Sequence, residues 1–164
     1  MRPKRFEMFM KDQLTGSGSD SIKSVATFDE IAFTSKPCGL QIEFVTGARV
    51  MLQIVRSSPP GGEDFGQDEK VIEGEALEPV PGVDVLITGG KLNVESVERY
   101  LTVLLTNSGN REIKSLRPFV GKGQKYGINV GFHSGANCYI HFLYTLPNGK
   151  ETNFHPEFNV LEVV

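Results

Sequence analysis

Residues 39 to 55, GLQIEFVTGARVMLQIV, align without gaps with residues 127 to 143, GINVGFHSGANCYIHFL, and this self-similarity constrains the fold more than any other feature of the chain. Gly39/Gly127, Phe44/Phe132, Gly47/Gly135 and Ala48/Ala136 are identical, and Leu40/Ile128, Ile42/Val130, Thr46/Ser134 and Leu52/Ile140 are like for like. Upstream, SIKSVATF from Ser21 matches EIKSLRPF from Glu112, and Arg5-Phe6 matches Arg99-Tyr100; downstream, KVIE from Lys70 matches NVLE from Asn159. The separations drift only between 88 and 94, as loop insertions would make them. The expected organisation is a first repeat over 1–75, an acidic Pro/Gly-rich connector over 76–91 and a second repeat over 92–164, closed into one structural domain.

Local signals agree within each copy. Asn93 is a good N-cap, and Val94, Val97, Tyr100, Leu101, Leu104 and Leu105 recur at helical spacing before Gly109 stops the run. Phe6, Phe9, Met10 and Leu14 form the matching stripe in the first copy. A hairpin follows each helix. A three-residue loop Val45-Thr46-Gly47, with Gly47 left-handed, pairs Phe44 with Ala48, Ile42 with Val50 and Leu40 with Leu52, so that one face is wholly apolar. The other face carries Gln41, Glu43, Arg49, Met51 and Gln53, with Glu43 opposite Arg49. The second hairpin obeys the same rule, sending Ile128, Val130, Phe132, Ala136, Cys138, Ile140 and Phe142 inward and Asn129, Gly131, Asn137, Tyr139 and His141 outward. Final short strands are expected around Val71 and Val160, and another over Val83–Ile87.

These elements predict an α+β fold: two tandem helix-plus-antiparallel-hairpin repeats, related by approximate twofold symmetry, sharing one core. A copy of about 70 residues alone would bury a marginal core, which favours packing the pair together. Between the copies the chain turns to Pro, Gly and acid. Residues 57–98 carry 10 acidic and 2 basic side chains, whereas 1–56 and 99–164 are net +2 and +3. The plain expectation for this stretch is a solvated connector; the sharper one is an acidic surface that engages a basic partner.

Composition removes several classes. Two cysteines and three histidines without ligand spacing argue against a disulfide scaffold or a zinc site, so neither metal nor cofactor is expected. A net charge of -3 argues against a globally basic nucleic-acid binder. No run approaches the roughly 20 apolar residues of a membrane helix, and the first residues lack a leader pattern, so a chain outside the membrane, in the cytoplasm or a virion, is expected. ITGGK at 87–91 lacks the spacing of a phosphate-binding P-loop, and GKGQKYG at 121–127 precedes a strand instead of a helix; both read as loops. His133 falls in a hairpin loop, Cys138 points inward and His141 outward, so they do not converge on one atom. No nucleophile with a base and an anchor can be assembled, and the chain is expected not to be an enzyme.

The strings KVIEGEALEPVPG, RYLTVLLTNSGNREI and GFHSGA resemble uncharacterised proteins of actinobacteria and their phages over most of the chain. That resemblance implies no activity and suggests a cytosolic or virion setting. Two function classes follow. One is a non-catalytic assembly or interaction protein, such as a phage head, connector or tail component, that self-associates through the outward hairpin faces at Met51, Gln53, Asn129, Tyr139 and His141. The other is a small-ligand or nucleic-acid-binding module using the crevice between the repeats or phosphate contacts from Arg111, Lys114, Arg117, Lys122 and Lys125.

Overall fold

The computed structural model describes residues 1–119 and 125–164. Phe6, Met10 and Leu14 line one side of helix α1 (Pro3–Gly16), and all three are buried. Pro3 starts this helix, where the missing N–H costs nothing. Strands β1 (Ile22–Thr27), β2 (Gly39–Phe44) and β3 (Arg49–Ser57) follow. A short ribbon, β4 (Ile87–Thr88) with β5 (Lys91–Leu92), leads into helix α2 (Val94–Thr106). The Asn93 side chain caps α2 by accepting from the Ser96 N–H at 2.8 Å. Strands β6 (Ile113–Pro118), β7 (Gly127–Phe132) and β8 (Asn137–Leu146) complete the chain's regular structure.

The six long strands form one antiparallel sheet in the order β1-β2-β3-β8-β7-β6. The fold is therefore mixed α+β. Both hairpins take the register expected from their sequences: Leu40 faces Leu52, Ile42 faces Val50, Ile128 faces Ile140 and Val130 faces Cys138. Each turn closes through two short bonds, from Phe44 N to Ala48 O and from Gly47 N to Phe44 O, repeated at Phe132, Ala136 and Gly135. Gly47 and Gly135 sit at φ +81° and +84°, a conformation the third loop position requires and other residues resist. The inward side chains of both hairpins are buried with those of both helices in one core, and Phe6 of α1 meets Phe132 of β7 edge to face at 5.7 Å.

Close pairs of contacts tie each helix to its own strands. The Glu7 carboxylate accepts from Gly39 N at 2.7 Å, and that of Glu98 accepts from Gly127 N at 2.6 Å. Phe28 N donates to Gly39 O and Phe119 N to Gly127 O, laying each ring over a glycine. A Cβ at Gly39 would stand 2.3 Å from the Phe28 ring, and one at Gly127 would stand 2.4 Å from Phe119. Ser17 and Ser108 each turn a hydroxyl back to the carbonyl three residues before, at 2.8 and 2.7 Å. β1 and β6 both carry a one-residue irregularity, at Lys23 and at Lys114.

Several expectations are corrected. No strand forms at Val71 or Val160; near the end of the chain Val163 makes one isolated bridge to Asn93. Of Val83–Ile87 only Ile87 enters a strand, and ITGGK is a tight β-ribbon turn through Gly89 and Gly90. Glu43 does lie opposite Arg49, yet each turns elsewhere: Glu43 to Lys23 at 2.7 Å and Arg49 to Glu151 at 3.0 Å. The acidic stretch is a fastened strap. Glu63 pairs with Arg2 and Arg56, Glu69 with Arg5, Gly74 N with Arg111 O, and Val80 with the Asn107 side chain through both its N–H and C=O. Leu77, Val83 and Ile87 pack against the core from this strap, and Val85 is buried in it.

Candidate functional site

The sheet has one face under the helices and one turned away, and the second face is divided. Over its first half lie Phe28, Ile31 and Phe33 from the β1–β2 connection and Phe158 from the C-terminal segment. They enclose Met51, Leu143, Tyr144 and Leu146. Met51 is only 2% exposed, so the expectation that it forms an open contact surface is corrected: it points outward as foreseen but is covered by its own chain. One extra residue in β8 at Leu143 shifts the alternation, which brings Tyr144 opposite Met51. Charges over this half are paired, Lys23 with Glu43, Arg49 with Glu151 and Lys36 with Glu157.

The other half is laid out by register. Arg117 lies opposite Asn129, Asn129 opposite Tyr139, and Tyr139 opposite Val55, a single row crossing β6, β7, β8 and β3. The row on one side runs Ser115, Gly131, Asn137, Ser57. On the other side Phe119 N bonds Gly127 O, Gly127 faces His141 and His141 faces Gln53. Four strands at about 4.8 Å spacing make this patch about 14 Å wide. None of its twelve positions is a carboxylate. Among the described residues no acid pairs with Lys114 or Arg117; Lys114 has Gly131 beside it where Lys23 has Glu43.

The patch is partly apolar and partly unsatisfied. Val55 is exposed, and the Tyr139 and His141 rings lie 6.2 Å apart with a 25° tilt. Phe119 and Phe158 flank His141 at 5.2 and 6.3 Å. Burial lowers the pKa of the His141 imidazole below its ordinary value, which favours the neutral ring. The Asn129 side-chain oxygen is shielded from solvent and meets no donor among the described residues. Gln53, Asn129, Tyr139 and His141 thus share one face as expected, and Arg117 joins them. Sequence reasoning missed Val55 and Phe119 as members. The alternation of β3 pointed to Val55, but only the β3–β8 pairing brings it beside Tyr139.

Of the candidate phosphate contacts in the described residues, Lys114 and Arg117 share β6, while Arg111 and Lys125 are engaged elsewhere. Arg111 donates to Gly74 O and stands 3.8 Å from Glu73, and Lys125 pairs with Glu162. Lys122 lies outside the described residues. A cleft of about 580 Å³ opens between the start of α1 and the end of β3, where Pro3, Pro37, Ile54, Val55 and Phe65 supply an apolar lining. Its cations Arg2, Lys4 and Arg56 are each paired with an acid. Burial first, and then the neighbouring Glu7, push the Cys38 thiol on its wall up to about 12; burial does the same to Cys138, so neither is a thiolate at neutral pH. Among the described residues no three His, Cys, Asp or Glu side chains are grouped to hold a metal ion, and no helix is long and apolar enough to cross a membrane.

Comparison with known proteins finds no matching family model, no matching curated protein and no matching solved structure.

Proposed function

We propose that the chain is two copies of one α-β-β-β unit about a pseudo-twofold axis, and that it serves as a non-catalytic assembly protein whose contact surface is the open half of the outer sheet face. Support for the two-unit reading comes from the shared details: the Glu7–Gly39 and Glu98–Gly127 bonds, the Ser17 and Ser108 turns, the Phe28 and Phe119 rings over glycine, and the opposed Gln53 and His141 at the sheet centre. These pairs fit a separation of 91 in the helices, not the 94 that matches Arg5 with Arg99. The downstream match is not supported, since Lys70–Glu73 lies in the strap beside Arg111 while Glu162 lies against the start of α2.

One observation carries the functional reading. The first half of the face is sealed by two segments of the chain itself, while the equivalent second half leaves the Arg117-Asn129-Tyr139-Val55 row without an equivalent cover among the described residues. A half-exposed patch, with Val55 and Arg117 open, the Tyr139 ring partly open and an orphan acceptor at Asn129, is stabilised by a protein partner that supplies apolar cover and a donor. The resemblance noted above adds a virion as the setting in which such an assembly would work. Light scattering over a concentration series tests the reading. The wild-type protein should grow in mass with concentration, and a Tyr139→Ala/Val55→Ser variant should stay monomeric with an unchanged circular-dichroism spectrum. A wild-type monomer at every concentration would contradict it.

A further inference from the structure

The open face needs a complement of opposite charge, and the same chain carries one elsewhere. Asp68, Glu73, Glu75 and Glu78 are exposed along the strap, interleaved with the exposed apolar side chains Val71, Ile72 and Val80. From Asp68 to Leu86 the strap has no helix or strand, yet it is pinned at Glu69, Gly74, Glu75 and Val80, so its carboxylates are presented on a preorganised backbone. The open face has Arg117 and no carboxylate, and Lys114 is exposed at the β6 irregularity next to Ser115.

Resting on the proposed contact surface, we infer that its occupant is the acidic strap of a second copy of this chain, so that copies join head to tail. A face-to-face pair would set Lys114 and Arg117 of both copies in a patch with no acid, which charge repulsion opposes. A face-to-strap contact places Lys114 and Arg117 against Glu75 and Glu78 and offers Val71 and Val80 to Val55 and Tyr139. Such an interface is heterologous: each copy keeps one unused face and one unused strap, and the contact builds a ring or a filament. The patch is small beside the roughly 800 Å² per partner of a stable pair, so the association is weak, concentration-dependent and sensitive to salt.

Two charge-reversed variants of the full chain test this, Lys114→Glu/Arg117→Glu on the face and Glu75→Lys/Glu78→Lys on the strap, each checked for native circular dichroism and melting. Glu75 and Glu78 are exposed and make no side-chain ion pair among the described residues, so their reversal should leave the fold intact. In sedimentation velocity each variant alone should be monomeric, because each lacks one of the two complementary surfaces. Mixed one to one, they should give a species of two copies and no larger, since only one face and one strap remain compatible. A strap variant that assembles like the wild type would overturn the strap as occupant while leaving the face as the contact surface. A wild type that never assembles would overturn both. A single-stranded oligonucleotide bound by the wild type and released by the face variant would assign Lys114 and Arg117 to phosphate, and would overturn the inference as well.

Discussion

The two halves of the sheet have the same inner face and different outer ones. Inside, Leu40, Ile42 and Leu52 are matched by Ile128, Val130 and Ile140, all at most 1% exposed. Outside, the first half is closed by Phe28, Phe33 and Phe158 with its cations paired, while the second half presents Arg117, Asn129, Tyr139 and Val55. The difference teaches where to look for function. Packing under the helices is dictated by the need for a common core and is alike in both halves; the outer faces are free of that demand and differ.

The largest expected effect strikes the shared inner face. Leu52→Ala and Ile140→Ala remove equivalent, fully buried side chains of one core, and each should cost about 2–5 kcal/mol of unfolding free energy. Urea denaturation checks this. Near-equal losses are expected; a loss confined to one variant would show that the two inner half-faces do not share one core.

A smaller and unequal effect is expected at the glycines under the aromatic rings. A Cβ at Gly39 would stand 2.2 Å from Leu52 O and press on the fully buried Phe28, whereas one at Gly127 would stand 2.7 Å from Ile140 O and press on the less buried Phe119. Gly39→Ala should therefore lower stability by about 1–3 kcal/mol and Gly127→Ala by less, because the backbone clash is milder and Phe119 is less buried than Phe28. Differential scanning calorimetry on the two variants gives the ranking.

The outer faces separate stability from association. Met51→Gln places an amide among Phe28, Tyr144 and Leu146 and should cost about 1–3 kcal/mol while sparing the contact surface. Tyr139→Gln should change stability by about 0.5 kcal/mol or less and abolish concentration-dependent growth in mass. Thermal melting and light scattering on the same two samples distinguish these outcomes, and two variants with the same phenotype would dissolve the distinction between the halves.

The smallest effect concerns pH. Burial alone would raise the Glu69 carboxyl, but Arg5 and the Met1 amino group outweigh it and hold it at about 2. The folded value lies below the unfolded one. Its stabilising contribution is thus complete above the ordinary carboxylate range of about 4.3 and is lost as pH falls towards 2. Hydrogen exchange of the strap between Glu69 and Gly74 should accelerate across that window before exchange of β3 does.

The hairpins were legible because two local rules agree: Gly47 and Gly135 fix the loop length, and strict alternation then fixes every face. The cap at Asn93 was legible for the same reason. On the proposed two-unit reading the register between the helices was not legible, because an apolar stripe repeats every three to four residues and tolerates a slip of three, the difference between matching Arg5 with Arg99 and matching Glu7 with Glu98. The cover over Met51 was hidden as well. It is built by Phe28, Phe33 and Phe158, far away in sequence, and by the extra residue at Leu143, which turns Tyr144 outward. Composition identified the strap as acidic and rich in Pro and Gly, but two of its anchors are backbone groups, at Gly74 and Val80, that no side-chain pattern announces. The open patch was half legible, since alternation exposed Tyr139 and His141 while only the pairing across four strands joins Arg117 and Val55 to them.

Hydroxyl-radical footprinting across a dilution series reads both outer half-faces in one sample. Tyr139 and Val55 should be protected at high concentration and labelled on dilution, while Met51, covered by its own chain, should stay protected throughout. Equal labelling of Tyr139 and Val55 at every concentration would contradict it.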